Sequence, residues 1–135
     1  FKAEINAAGY SQLNALGLIA CQAAYENGGE WLEQCQAYLR ENLKVLRSFL
    51  KERLPKIRLI EPEGTYFAWL DCSGLGLSDT ALANLIAHQA KLWLDGGSVF
   101  DKKSGQFERI VLACTKKTLL KALTQLEAAC RGRNS

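Results

Sequence analysis

The sequence has no methionine, a single histidine and only two prolines in 135 residues. With His88 alone, no zinc pattern of the common histidine–cysteine kinds can be completed, and no C-x-x-C pair exists among the five cysteines. No metal site is expected. Nor does any apolar run approach the roughly eighteen residues of a membrane span, so no membrane partner is expected. No signal peptide is visible at Phe1. A chain that begins on phenylalanine and lacks methionine is expected to be processed or excised from a longer one. Nor does charge of one sign dominate. The net charge is +3, with lysines and arginines interleaved among acids, which excludes a basic footprint for nucleic acid.

What is present is an ordinary globular composition. Apolar residues make up 48% and charged residues 23%, which rules out a disordered chain. The length suits one domain with a core. Cys21, Cys35, Cys114 and Cys130 fall within apolar patterns and read as small buried thiols, which fits a reducing cytoplasm.

Periodicity predicts a helix from about Ser11 to Glu26, with Leu13, Leu16, Ile19 or Ala20, and Ala23 on one stripe. Asn27-Gly28-Gly29 stops it, glycine accepting a left-handed conformation there. A longer helix follows over about 30–54. Its stripe runs through Trp31, Cys35, Tyr38 or Leu39, Asn42 or Leu43, Leu46, Phe49 or Leu50, and Leu54. Pro55 ends it. The period then shortens. "IRLI" (57–60) and "TYFAWLD" (65–71) read as strands joined by the turn Glu61-Pro62-Glu63-Gly64. Ser78 caps a helix over about 79–90. "LWL" (92–94) is a short extended piece and "FERIVLA" (107–113) a strand. Thr115 caps a last helix to about Ala129, with Leu119, Leu120, Leu123 and Leu126 as its stripe. The fold class is therefore α+β: a small, mostly antiparallel sheet with helices covering one face.

Candidate chemistry is sparse. His88 has no acid or cysteine partner at triad or ligand spacing and reads as structural or surface. "GLGLS" (74–78) lacks both the G-x-G-x-x-G spacing and a following Walker lysine, so it reads as a loop and helix entry. Arg109 is more informative. Alternation puts it with Phe107, Val111 and Ala113 on one strand face, opposite Ile110, Leu112 and Cys114. A guanidinium among apolar neighbours is costly unless paired. Two readings stand open. One is a bridge to an acid such as Glu61 or Asp71, or exposure at the strand end. The other is a planar fork for a carboxylate, to which arginine offers two parallel hydrogen bonds.

Four stretches, in order over nearly the whole chain, carry a resemblance. They are "SQLNALGLIACQAAYENGGEWLEQCQAYLREN", "PEGTYFAWLD", "LWLDGGSVFDKKSGQFERIVLAC" and "TKKTLLKALTQL". Together they resemble the C-terminal part of fold-type I pyridoxal-phosphate (PLP) enzymes of the class I/II aminotransferase superfamily, on the cystathionine β-lyase (C–S lyase) branch. The third stretch is similar to the family's L-x-L-x-x-G-x-x-F-G … G-x-x-F-x-R-x-N-x-A segment. It departs at Asp101, where the family has glycine, and at Val111, where it has asparagine.

The resemblance implies that residues 1–54 are the connecting and long interdomain helices and 55–135 the small domain. It implies that Arg109 binds the α-carboxylate of an amino-acid substrate. It further implies a cytoplasmic homodimer acting as a carbon–sulfur β-lyase, with aminotransfer as the alternative; a non-catalytic interaction module is the alternative from another class. No Ser-x-x-Lys segment is present for the Schiff-base lysine, and Lys2 in "FKAEIN" does not match one. No catalytic and no cofactor-binding residue is therefore assigned to this chain. The cofactor and the large domain that binds it belong to the parent enzyme, and the chain alone is expected to be inactive.

Overall fold

A computed structural model describes residues 1–9 and 14–132. The chain divides into two compact units, residues 1–37 and 38–135.

The first unit is helical. Helix α1 (Lys2–Ala7) and α2 (Ala15–Asn27) bury none of their residues. The expected start of α2 at Ser11, and Leu13 on its stripe, lie outside the described residues. Its described cap is Asn14, whose side chain accepts from the Leu16 amide at 2.9 Å. Leu16 and Ile19 stay 74% and 64% exposed, so their stripe is not a core face here. Cys21, expected to be buried, is exposed for the same reason. The helix stop also differs from expectation. Gly28 sits at φ −85°, not left-handed. Glycine is needed there because a Cβ would run into the Ala24 carbonyl oxygen. Helix α3 (Gly29–Arg53) begins one residue later.

The second unit holds the core. From α3 it takes Leu46, Phe49 and Leu50, the apolar stripe that the period marks out. Asn42 shares that buried face. Its Nδ2 donates to the Leu112 and Cys114 carbonyls at 2.9 and 2.8 Å. That bond pair ties the long helix to the chain leaving the last strand.

Strands β1 (Arg58–Ile60), β2 (Phe67–Asp71), β3 (Asp95–Gly96) and β4 (Phe107–Val111) form one antiparallel sheet in the order β1-β2-β4-β3. Registers run Leu59 to Leu70, Trp69 to Arg109, and Asp95 to Arg109. The turn between β1 and β2 puts Thr65, rather than Gly64, in the left-handed region at φ 66°. Its Oγ1 accepts from the Phe67 amide at 3.1 Å, a local bond that offsets part of the strain.

Ser78 caps α4 (Asp79–Asn84), accepting from the Ala81 amide at 3.2 Å. The helix then widens into a π turn over Leu85–Gln89, closed by the Ala90 amide on the Leu85 carbonyl. Thr115 caps α5 (Lys116–Arg131), which buries Leu119, Leu123 and Leu126. The short strand begins only after "LWL" ends: Trp93 is 97% exposed, and pairing begins at Asp95.

Alternation divides the sheet cleanly. Ala68, Leu70, Glu108 and Ile110 are buried on one face with the helical core. Phe67, Trp69, Phe107 and Arg109, on the other, are half-buried and not covered by any helix of this core. The α+β class, with helices on one face of a small antiparallel sheet, is as the sequence indicates.

A guanidinium fork on the open face of the sheet

Arg109 sits in the middle of β4 on the open face. Its cross-strand neighbours are Trp69 on β2 and Asp95 on β3. Neither acid considered as its partner from sequence reaches it. Glu61 accepts from Arg47, with Nε and Nη2 donating at 2.8 and 2.7 Å. Asp71 accepts from Arg58 Nη2 at 2.7 Å and from the Ser73 amide. The Ser73 bonds first, and Arg58 after them, hold its carboxyl below the usual range.

The acid beside Arg109 is Asp95. Its Oδ2 accepts from Nε at 3.1 Å and from Nη2 at 2.8 Å. The Phe67 and Phe100 rings lie 4.1 and 4.6 Å from the guanidinium carbon. Trp69 meets Phe100 and Phe107 edge-on, with ring centroids 5.4 and 6.4 Å apart. The cation is thus walled by aromatic π-systems, which attract it and limit its contact with water. The arginine side chain keeps 26% of its surface exposed, enough to meet a ligand.

Phe100 lies within a loop that closes tightly on itself. A Cβ on Gly97 would strike the Ser104 carbonyl oxygen. Asp95, Phe67 and Phe100 were not singled out from sequence. The signal for Asp95 was concealed, since Asp-Gly-Gly has the composition of a turn and the pairing lasts two residues.

Other groups lie apart from the fork. His88 is exposed, as a surface residue should be. "GLGLS" forms a 3₁₀ turn over Ser73–Leu75 and the α4 cap. Cys72 is the buried thiol, 1% exposed, and burial pushes it up to about 12, which makes it inert. Glu108, next to Arg109, points to the opposite face. It lines a 190 Å³ cavity with Ile86, Leu92 and Leu94, and burial raises its carboxyl to about 7, helped by Asp95.

The strands of the sheet carry no lysine. The face therefore offers a fork for one planar anion and aromatic walls. It does not supply the amine and phosphate cradle that PLP needs. In class, this is an α+β domain that carries an arginine fork and aromatic rings on the open face of its sheet.

No family model matches the chain. Cystathionine β-lyase PatB of Bacillus subtilis is 33% identical over 129 residues, covering 96% of this chain and 33% of its own length. Protein MalY of Escherichia coli is 31% identical over 91% of this chain and 32% of its own. Among solved structures, cystalysin from Treponema denticola, which contains a pyridoxal 5'-phosphate cofactor, superposes with a TM-score of 0.86. It is 29% identical, over 90% of this chain and 31% of that one. The chain spans about one third of the length of the curated relatives it matches. It belongs to the C–S lyase branch of the PLP-dependent aminotransferase-fold enzymes and corresponds to their C-terminal domain.

Proposed function

We propose that the whole enzyme is a PLP-dependent carbon–sulfur β-lyase of the cystathionine β-lyase type, and that Arg109 binds the α-carboxylate of its amino-acid substrate. The observation that carries this reading is the fork itself. Asp95 occupies the Nε side of the guanidinium, while Nη1 makes no hydrogen bond among the described residues. The Nη1–Nη2 end is the edge that a carboxylate can engage with two parallel bonds. The lyase names of the relatives favour β-elimination over aminotransfer. Identity to enzymes along nearly the whole chain disfavours a free-standing interaction module.

PLP, bound by the large domain of the whole enzyme, supplies the electron sink that lets a Cα proton and then a β-substituent leave. This chain's part is orientation. A carboxylate held on Arg109 fixes how Cα is turned, and so which of its bonds is set to break. The rings of Phe67 and Phe100 reduce the water around the guanidinium, which strengthens an ion pair made there. Residues 1–54 then serve as connecting and interdomain helices and 55–135 as the small domain. The exposed Leu16, Ile19 and Trp31 suit packing against parts of the enzyme outside this chain. Five cysteines without a disulfide suit the cytoplasm. The family resemblance supports a homodimer.

Kinetics of the whole enzyme test the assignment. Arg109→Ala should raise the substrate KM about 100-fold, since it removes a charged, hydrogen-bonded partner. Cofactor absorbance should be unchanged. An unaltered KM removes Arg109 from the substrate site.

A further inference from the structure

An arginine side chain has four rotatable bonds, and its fork can be turned to present any edge. In this fold one edge is already taken. Asp95 Oδ2 alone accepts from both Nε and Nη2, at 3.1 and 2.8 Å. Asp95 is in turn fixed by backbone: β3 is two residues long and pairs Asp95 with Arg109 and Gly96 with Glu108. Its short stem leaves few other positions for the carboxylate. The rings of Phe67 and Phe100 restrain the tilt of the guanidinium plane but not its rotation within that plane. Among the described residues, Asp95 is the hydrogen-bond partner that sets that rotation.

Taking Arg109 as the carboxylate clamp proposed above, we infer that Asp95 is its positioning residue. Through the Nε–Nη2 edge, Asp95 holds Arg109 so that the Nη1–Nη2 end faces the substrate. It thereby sets the preference for ligands that carry a carboxylate on Cα.

Loss of Asp95 can act in either of two directions. An acid beside the arginine cancels part of its charge. If charge balance were its whole effect, removing Asp95 would tighten the binding of a second carboxylate. If it orients the fork, removing it weakens binding, and an uncharged oxygen at the same place restores much of the loss.

The experiment uses the whole PLP enzyme and two competitive ligands. L-alanine has the α-carboxylate and no β-leaving group; ethylamine is the same molecule without the carboxylate. Asp95→Ala should raise the Ki of L-alanine about tenfold, in the range for loss of a close charged partner. It should leave that of ethylamine within about twofold, because ethylamine never meets the fork. Asp95→Asn, which keeps the shape and an acceptor oxygen, should fall between wild type and Asp95→Ala. It also preserves the test if the alanine variant folds poorly. Tighter or unchanged L-alanine binding in both variants overturns the inference. Equal weakening of both ligands does so too, since a general structural role would move them together. Arg109→Ala, measured alongside, separates the two ideas. If it leaves L-alanine binding intact, the clamp itself is wrong. If it weakens binding while the Asp95 variants do not, the clamp stands and only the positioning role falls.

Discussion

The two faces of β2 and β4 are built from alternate residues of the same strands, yet they answer to different demands. Leu70 and Ile110 are sealed against the helices, at 0% and 4% exposure. Trp69 and Arg109, one residue away from each, are half-buried and face away from the helical core. The first face secures the fold by removing apolar surface from water. The second holds an arginine among rings by pairing it with Asp95. Burial separates the residues that hold this domain together from the arginine and rings proposed to meet substrate.

Truncating adjacent residues should separate the two faces most strongly. Leu70→Ala should destabilise the protein by about 2–5 kcal/mol, because it leaves a cavity in a closed core. Trp69→Ala should cost about 1–2 kcal/mol, mostly lost ring contacts, and should weaken L-alanine binding where Leu70→Ala does not. Chemical unfolding alongside Ki measurements separates the two. If both changes act equally on stability and on binding, the division between faces is false.

A second test concerns the one acid on the sealed face. The Glu108 carboxyl is raised to about 7 from an ordinary value near 4.5. The folded protein therefore holds that proton more tightly than the unfolded chain does. Below about pH 4.5 both states are protonated and burial costs little. As pH climbs towards 7 the unfolded state ionises freely, and stability is lost. Glu108→Gln cannot ionise, so it should gain on wild type between pH 5 and 8, by about 3 kcal/mol at the upper end. Unfolding curves at several pH values read the slope directly; parallel slopes would contradict the burial argument.

The smallest effect is expected at the rim. Glu61→Gln removes the exposed pair with Arg47 and should shift the unfolding midpoint too little to separate from wild type, as exposed pairs do. A large shift would show that surface charge contributes to stability here as the sealed face does.

Much of this division was legible in sequence, for physical reasons. The leucines of α5 recur at helical spacing, and the caps Ser78 and Thr115 stand immediately before their helices. In β4, strict alternation was enough to put Arg109 with Phe107 and Val111 and away from Ile110. What escaped were features decided by contacts distant in sequence. Asp95 reads as turn until β4 arrives to pair with it. The π turn over Leu85–Gln89 leaves no mark in a pattern that stays helical. The stripe of α2 is apolar, and an apolar stripe states only that a surface wants a cover. Within this chain Leu16 and Ile19 do not find one. The cysteines followed suit: Cys72, outside every apolar pattern, is the most buried, and Cys21, inside one, is exposed.

The position of Trp69 has an optical consequence. The chain has three tryptophans. Trp31 and Trp93 are 71% and 97% exposed, so their emission should be red and open to quenching by iodide. Trp69 sits edge-on to two phenylalanines, beside the cation that it neighbours across the strand pair. Its emission should be bluer, shielded, and sensitive to the charge next to it. With Trp31 and Trp93 replaced by phenylalanine, the remaining indole of this chain becomes a built-in lamp on the open face, dimming or shifting as an anion arrives at Arg109.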